Sequence, residues 1–241
     1  MRTATVTKPP VLDYSGREAV NLIGSNLSFM GKEMKCILLT SSVAGEGKTT
    51  MAARIAVNLT ERSNNNVLLI DADMRRSRLA GELGLTTEGE MTGLTHFLAG
   101  KCELEDAVYQ TDIPGLYVIP AGRDVINPVQ LITSSGFKEL MDWAREQFDM
   151  ILVDTPPIGL VVDAVEVAKY CDGSAVVVEY GKRRRHELQR TVEQLNKSGT
   201  PVIGCIIDKV TTKTLMEKQY YKSHYYYGKY SHYYGADKRK G

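Results

Sequence analysis

The chain has 241 residues, of which 43% are hydrophobic and 24% charged, and its formal net charge is +1. This composition predicts a globular protein with a sizeable core, in one large domain or two small ones. The four cysteines have neither close pairing nor metal-type spacing, which excludes a disulfide framework. No apolar run approaches the length of about 18 residues that a membrane span needs, and the first residues lack an apolar run of signal-peptide length. We therefore expect a cytoplasmic protein.

The elements follow from apolar spacing along the chain. Residues 1–15, with three threonines and the Pro9-Pro10 pair, are predicted to form an extended arm. Helical spacing then predicts a first helix from about Gly16 to Phe29. Strands rich in Val, Ile and Leu on both faces, alternating with helical stretches, predict an α/β fold with a mostly parallel sheet covered on both sides. The six predicted strands are residues 36–39, 67–70, 116–119, 151–153, 175–178 and 202–207.

The first motif is SSVAGEGKTT, residues 41–50, between a predicted strand and a predicted helix. A phosphate-binding P-loop has the pattern Gly, four residues, Gly-Lys and Ser or Thr, because its backbone amides and the helix N-terminus attract phosphate. Gly47, Lys48 and Thr49 fit the pattern, whereas Ser42 replaces the first glycine. The alternative is a glycine-rich turn that only caps a helix.

Two further strand ends carry carboxylates. Asp71 and Asp73 follow the strand in VLLIDADMRRSRL, and Asp154 ends the strand in MILVDTPPIG. An aspartate at this position downstream of a P-loop is typical of a residue that holds Mg²⁺ together with the P-loop hydroxyl, here Thr49. Each segment alone could be a polar turn, but the three motifs in order predict a nucleotide site. The arginines Arg75, Arg76 and Arg78 either orient phosphates or an acceptor, or form an exposed basic face.

The order of these motifs resembles the deviant-Walker ATPases related to MinD and ParA. It resembles more closely the bacterial tyrosine kinases of capsular polysaccharide synthesis, the CpsD/CapB type, over the region from about Glu18 to the C-terminus. The MinD/ParA group has an extra lysine where this sequence has Val43, which favours the kinase group. The resemblance implies a P-loop NTPase-like kinase domain over residues 16–210, with ATP and Mg²⁺ as cofactors.

The resemblance also implies roles for individual residues. Lys48 would contact the β- and γ-phosphates, and Asp71 would face the acceptor tyrosine while Asp73 supports the metal or the loop. Metal contacts are expected from Thr49, Asp71 and Asp154. Related ATPases hold adenine with an Asn-Lys pair, which is Asp208-Lys209 here. The predicted nucleotide contacts are Ser42, Gly45, Glu46, Gly47, Lys48, Thr49, Thr50, Asp208 and Lys209.

The last stretch, residues 211–241, is predicted to be a flexible tyrosine-rich tail. Eight of the thirteen tyrosines lie within residues 220–234. The tail carries +5 and the preceding 210 residues carry −4, and each phosphate would add about −1.5 to −2. We expect autophosphorylation of this cluster, the alternative being a tyrosine-rich tail without a regulatory role. The predicted acceptors are Tyr220, Tyr221, Tyr225, Tyr226, Tyr227, Tyr230, Tyr233 and Tyr234.

The kinase resemblance implies partners as well: a membrane-bound polysaccharide chain-length regulator that recruits the kinase to the inner face of the membrane, a cognate tyrosine phosphatase, and further copies of the chain. Family rings assemble through a Glu-x-x-Arg-x-x-Arg segment, which here has Glu18, Asn21 and Gly24. No nucleic-acid partner is predicted.

The basic stretch GKRRRHEL, residues 181–188, is interpreted as a solvated helix start, or else as a contact for anionic lipid or an acidic partner. The competing functions are a MinD/ParA-type ATPase that switches dimerisation and a non-catalytic nucleotide-sensing scaffold.

Overall fold

The computed structural model describes residues 1–31, 33–63 and 65–210. The chain divides into two compact units, Met1–Asp208 and Lys209–Gly241, and of the second unit only residues 209 and 210 are described. The predicted tyrosine-rich tail therefore lies outside the described residues, and its role stays a prediction. In the described part of the chain, no helix is both long enough and apolar enough to cross a bilayer.

The first unit is built on one sheet with strand order β4-β1-β5-β6-β3-β7-β2-β8-β9. The pairs β1–β4 and β5–β6 are antiparallel and the other pairs are parallel. The predicted mostly parallel α/β fold is thus confirmed. The strands are β1 (Arg2–Val6), β2 (Cys36–Ser41), β3 (Val67–Asp71), β4 (Leu85–Thr86), β5 (Tyr109–Thr111), β6 (Leu116–Ile119), β7 (Met150–Asp154), β8 (Gly173–Glu179) and β9 (Val202–Asp208).

Helices cover both faces of this sheet, and every residue of the central strands β2, β3 and β7 is therefore buried. Successive side chains of a strand point to opposite faces, so Leu68 and Ile70 belong to one hydrophobic core, and Val67 and Leu69 to the other. The helices are α1 (Tyr14–Phe29), α2 (Lys48–Ser63), α3 (Leu79–Leu83), α4 (Leu94–Leu98), α5 (Leu104–Ala107), α6 (Pro128–Ile132), α7 (Ser135–Gln147), α8 (Asp163–Ala168) and α9 (Arg185–Asn196).

The N-terminal residues differ from the prediction. Part of the expected arm is strand β1, which pairs with β5 and β4, and its residues Ala4 and Val6 are buried. The alternation of Thr with Ala and Val in this stretch is a strand signal that the arm interpretation missed. Strands β4 and β5 were also missed, because two and three residues are too few to show a period.

The first helix begins slightly earlier than predicted. Asp13 is its N-cap, and the Asp13 side chain accepts a hydrogen bond of 2.7 Å from the Gly16 amide. An N-cap carboxylate satisfies an amide that has no partner inside the helix, which fixes the start at Tyr14.

The carboxyl ends of β3, β7 and β2 lie side by side, because these strands are neighbours in that order. Asp71 is directly opposite Asp154 in the β3–β7 pairing, and Leu39 is opposite Asp154 in the β2–β7 pairing. The three predicted motifs therefore meet at one edge of the sheet, where ligands bind in folds of this type.

Candidate active site

The P-loop connects β2 to α2, which begins at Lys48. Gly45 and Gly47 have φ values of 84° and 91°, in the region that side-chain-bearing residues avoid. Ser42, which replaces the first glycine of the motif, makes a hydroxyl–hydroxyl hydrogen bond of 2.8 Å with Thr191 of α9. The substituted position thus ties the loop to a neighbouring helix.

Glu46 stabilises the shape of this loop. Its side chain is buried and accepts hydrogen bonds from the Val43 amide at 3.0 Å and from Arg183 Nε at 2.8 Å. Glu46 was predicted to contact the nucleotide, but its carboxylate is turned toward the protein. Arg183 belongs to the basic stretch that was interpreted as a solvated helix start, and for this residue the interpretation is wrong. The other basic residues of the stretch are exposed, in agreement with it: Lys182, Arg184, Arg185 and His186.

Lys48 is the cation at the centre of the carboxylate cluster. Its Nζ lies 3.1 Å from Asp73 Oδ2, 3.6 Å from Asp154 Oδ1 and 3.4 Å from the Thr49 hydroxyl. Burial lowers the pKa of Lys48, but the charges of Asp154 and Asp73 outweigh that effect and the pKa is raised. Lys48 is therefore charged at neutral pH.

Asp71 is completely buried at the end of β3. One carboxylate oxygen accepts a hydrogen bond from the Asp73 amide at 3.0 Å, and the other accepts from the Ser77 hydroxyl at 2.7 Å and from the Leu79 amide at 3.3 Å. Burial, followed by repulsion from Asp154, raises the pKa of Asp71 to about 7 against an ordinary value of 3.8. Asp71 can therefore exchange a proton near neutral pH.

Asp154 is the residue best suited to hold a cation. Its pKa is raised, chiefly by burial and against the attraction of Lys48. Both carboxylate oxygens are buried and neither has a hydrogen-bond donor within the described residues, although Lys48 Nζ forms an ion pair with Oδ1 at 3.6 Å. A buried carboxylate that lacks hydrogen-bond donors is costly, and a bound cation lowers that cost. Asp154 with the adjacent Thr49 hydroxyl fits the oxygen ligands that Mg²⁺ prefers, whereas the Asp71 oxygens already have three donors.

Arg75 has a role that the sequence did not specify. Its Nε and one terminal nitrogen donate to the two oxygens of the fully buried Asp163 at 2.6 and 3.0 Å, and the other terminal nitrogen donates to the Ile126 carbonyl at 3.1 Å. This bidentate pair joins the loop after β3 to the start of α8 and to the loop after β6. The sequence shows Asp163 as a carboxylate in an apolar run, which is a signal for a buried ion pair. Nothing in the sequence indicated that its partner is Arg75.

The loop after β7 packs directly on the P-loop. The Ile158 amide donates to the Ser41 carbonyl at 2.9 Å, and a Cβ placed on Gly159 would lie 2.2 Å from the Ser42 carbonyl oxygen. Such a distance excludes any side chain at position 159 without movement of the backbone. The glycine of DTPPIG is therefore required by this close approach.

The remaining predicted nucleotide residues are placed as follows. Asp208 ends β9, and a Cβ on Gly47 would lie 2.1 Å from its carboxylate, so Asp208 borders the P-loop. The Thr50 hydroxyl donates to Glu82 at 2.7 Å, so the side chain of Thr50 is held by α3, and its nucleotide contact stays a prediction. The adenine contacts of Asp208 and Lys209 stay predictions, and the eight acceptor tyrosines lie outside the described residues.

Comparisons with known proteins identify the family. A family model described as an AAA domain matches residues 18–198. The tyrosine-protein kinase CpsD of Streptococcus agalactiae is 36% identical over 241 residues, covering 98% of this chain and 100% of that protein. The chain belongs to the bacterial tyrosine-kinase family. The sequence resemblance to the CpsD type is thereby confirmed.

Two solved structures agree with this family assignment. The VpsO kinase domain has a TM-score of 0.74 and 31% identity, with 81% of this chain and 94% of that chain covered. The septum site-determining protein MinD of Pyrococcus horikoshii, solved with Mg-ADP, has a TM-score of 0.61 and 27% identity, with 72% and 69% covered. The kinase domain thus shares the P-loop fold of nucleotide-binding ATPases.

In this kinase-family member, the two helix positions that depart from the ring segment, Asn21 and Gly24, lie against α2. The Asn21 side chain accepts a hydrogen bond from Asn58 Nδ2 at 2.7 Å, and the Asn21 carbonyl accepts one from Arg62 at 2.7 Å. A Cβ on Gly24 would lie 2.5 Å from Asn58 Oδ1. Positions 21 and 24 therefore serve the contact between α1 and α2.

Proposed function

We propose that the protein is an ATP-dependent tyrosine kinase that phosphorylates the tyrosines of residues 220–234 and thereby regulates capsular or extracellular polysaccharide synthesis. The observation that carries this proposal is Asp71, a buried carboxylate with a pKa of about 7 at the same sheet edge as Lys48 and Asp154. The family and the tyrosine cluster support it. A hydrolytic ATPase would not need eight tyrosines in its last stretch.

Lys48 and the amides of residues 45–50 would bind the β- and γ-phosphates of ATP. Thr49 and Asp154 would hold Mg²⁺, which when bound neutralises charge on the phosphate oxygens. Phosphoryl transfer passes through a loose transition state in which positioning and charge neutralisation dominate. Asp73, through its 3.1 Å contact with Lys48, orients the lysine toward the phosphates.

Asp71 would accept the proton of the acceptor tyrosine. The tyrosine oxygen forms a bond to the γ-phosphorus while the bond from that phosphorus to the bridging oxygen breaks, and the electron pair leaves with ADP. Because tyrosine has a pKa near ~10, its proton moves to the carboxylate as the attack proceeds rather than beforehand. Burial is the largest cause of the raised pKa of Asp71, and a carboxylate with a raised pKa is a better proton acceptor than one with the ordinary value of 3.8.

The test is phosphotyrosine detection with an antibody after incubation of the pure protein with Mg-ATP. We expect labelling of the wild type and none with Lys48→Met, which also loses ATP binding. We expect Asp71→Asn to lose labelling by ~100-fold or more while keeping ATP affinity within a few-fold. Full labelling of Asp71→Asn would refute its role as the proton acceptor.

The proposed partner is the cytoplasmic segment of a membrane-bound chain-length regulator, which would recruit the kinase to the inner face of the membrane; a cognate phosphatase would reverse the reaction. The phosphotyrosine assay is therefore repeated with that segment added. ATP consumption without phosphotyrosine under both conditions would favour the second candidate, a nucleotide-switched ATPase, which the MinD likeness supports.

A further inference from the structure

Three large aliphatic side chains are exposed in the loops beside the candidate active site. The exposed fractions are 95% for Ile126, 63% for Leu160 and 61% for Val162. Ile126 lies in the loop after β6, and Leu160 and Val162 lie in the loop between β7 and α8. Both loops leave the carboxyl edge of the sheet, where ligands bind in this class of fold. We call these three residues the apolar rim.

Arg75 holds the two halves of the apolar rim side by side. The same guanidinium donates to the Ile126 carbonyl at 3.1 Å and to Asp163, the residue after Val162, at 3.0 Å. The two ends of one guanidinium are close together, so the Ile126 backbone and the start of α8 are neighbours. The Val125 amide also donates to the Met74 carbonyl at 2.9 Å, which fixes the loop of Ile126 against the loop of Arg75.

The other end of the rim adjoins the P-loop. Leu160 follows Gly159, which lies against the Ser42 carbonyl, and the Leu160 amide donates to the Pro157 carbonyl at 3.1 Å. The rim therefore extends from the phosphate-binding loop to Arg75, two residues after Asp73. An acceptor side chain placed on it would border the carboxylate cluster.

The chemistry of the acceptor segment fits this surface. Residues 220–234 consist only of tyrosine, lysine, serine, histidine and glycine, so the tyrosine rings are its apolar surface. A tyrosine has an apolar ring and a polar hydroxyl, and it binds best where an apolar surface adjoins polar groups. We propose that the apolar rim binds the ring of an acceptor tyrosine from residues 220–234 of a second copy of the chain, with the hydroxyl directed at Asp71. This inference rests on the proposed kinase function.

The test measures binding without phosphoryl transfer. The full chain, with its eight tail tyrosines replaced by serine to prevent competition, is loaded with Mg²⁺ and a non-hydrolysable ATP analogue, and a fluorescent peptide of residues 220–234 is titrated by anisotropy. We expect Leu160→Ser and Ile126→Ser each to weaken peptide binding by about tenfold, because each removes most of one aliphatic contact. A peptide with serine at every tyrosine position should bind the protein with an unsubstituted rim no more tightly than the tyrosine peptide binds the rim variants.

Leu22→Ser is the matched control, since Leu22 is a leucine with 62% exposure on α1, and it should leave peptide affinity unchanged. In the kinase assay, the rim variants should raise the KM for the peptide with kcat within about twofold, because the rim residues are not among the proposed ligands of the phosphates or the metal. The proposal is wrong if the rim variants bind the peptide as the wild type does, or if they change self-association in sedimentation instead. Absence of phosphotyrosine with intact, rim-dependent peptide binding would refute the kinase function alone.

Discussion

Asp71 and Asp154 are adjacent in the sheet pairing, yet their surroundings differ. Asp71 accepts three hydrogen bonds from its own loop, whereas the Asp154 oxygens accept none within the described residues. The first carboxylate is therefore held in one orientation with a pKa near neutrality, whereas the second has only its ion pair with Lys48 and lacks hydrogen-bond donors. The proposed division of roles between proton acceptor and metal ligand rests on this difference.

The raised pKa of Asp71 predicts how stability depends on pH in the metal-free and nucleotide-free protein. The folded state retains a proton on Asp71 up to about pH 7, whereas the unfolded chain releases it near the ordinary value of 3.8. The folded state binds more protons between these two values, so the free energy of unfolding should fall as the pH rises from about 4 to about 7. The difference between the two pKa values corresponds to at most roughly 4 kcal/mol.

Urea unfolding at several pH values measures this slope. Asp71→Asn should flatten it, although the variant loses hydrogen bonds and is less stable throughout. Asp124→Asn, which removes an exposed carboxylate, is the control and should keep the wild-type slope. Equal slopes for Asp71→Asn and the wild type would contradict the assignment.

At the scale of elements, the site depends on loops that hold one another. The loop after β7 lies on the P-loop through Gly159 and Ser42, Arg183 near the start of α9 fixes Glu46, and Arg75 joins the loops after β3, β6 and β7. Each contact links segments distant in the chain, so the shape of the P-loop is set by its neighbours as well as by its glycines.

Gly159→Ala tests the contact between the two loops. The added Cβ would lie 2.2 Å from the Ser42 carbonyl oxygen. Because that oxygen belongs to the backbone and cannot rotate away as a side chain can, the P-loop must move. We expect ATP affinity to fall by about tenfold or more and the free energy of unfolding to fall by roughly 1–3 kcal/mol. Calorimetric titration and urea unfolding measure the two quantities.

Gly81→Ala is the control, because a Cβ on Gly81 in helix α3 meets nothing within 4 Å. This change should leave ATP affinity as it is and should not destabilise the protein, since alanine favours a helix. The interpretation of Gly159 fails if both variants bind ATP equally well.

At the scale of the whole molecule, the sequence separates a body of charge −4 from a final segment of charge +5. Phosphates on all eight tyrosines would bring that segment to roughly −7 to −11. With the flexibility that the sequence predicts for it, a segment of about 20 residues would span roughly 25 Å, which brings the active site of its own chain and that of another copy within range. The family resemblance implies transfer between copies.

Mixing two full-length variants tests this transfer. Lys48→Met retains its tyrosines but is inactive, and an active chain with phenylalanine at the eight acceptor positions cannot be labelled there. We expect phosphotyrosine on the Lys48→Met chain at a rate that rises with the concentration of the active chain. An unlabelled Lys48→Met chain, beside a wild type that labels itself, would show that transfer stays within one copy.

The sequence by itself determined the parallel core and predicted the residues of the site, because each motif is local. An apolar run gives a buried strand, and Asp71 and Asp154 end two such strands at the carboxyl edge of the sheet, whereas Lys48 begins the helix that follows a third. The arm interpretation missed β1 because it gave the nearby Pro9-Pro10 pair more weight than the alternation of Arg2–Val6, and the sequence indicated neither β4 nor β5.

Only the tertiary structure decided how the site is held and tuned. The partners Arg75–Asp163 and Arg183–Glu46 are 88 and 137 residues apart, and no local pattern joins residues at such distances. The pKa of Asp71 likewise depends on burial and on the opposite carboxylate of Asp154, which belongs to another strand. The sequence specifies which groups are present at the sheet edge, whereas their protonation and orientation arise from neighbours that only folding brings together.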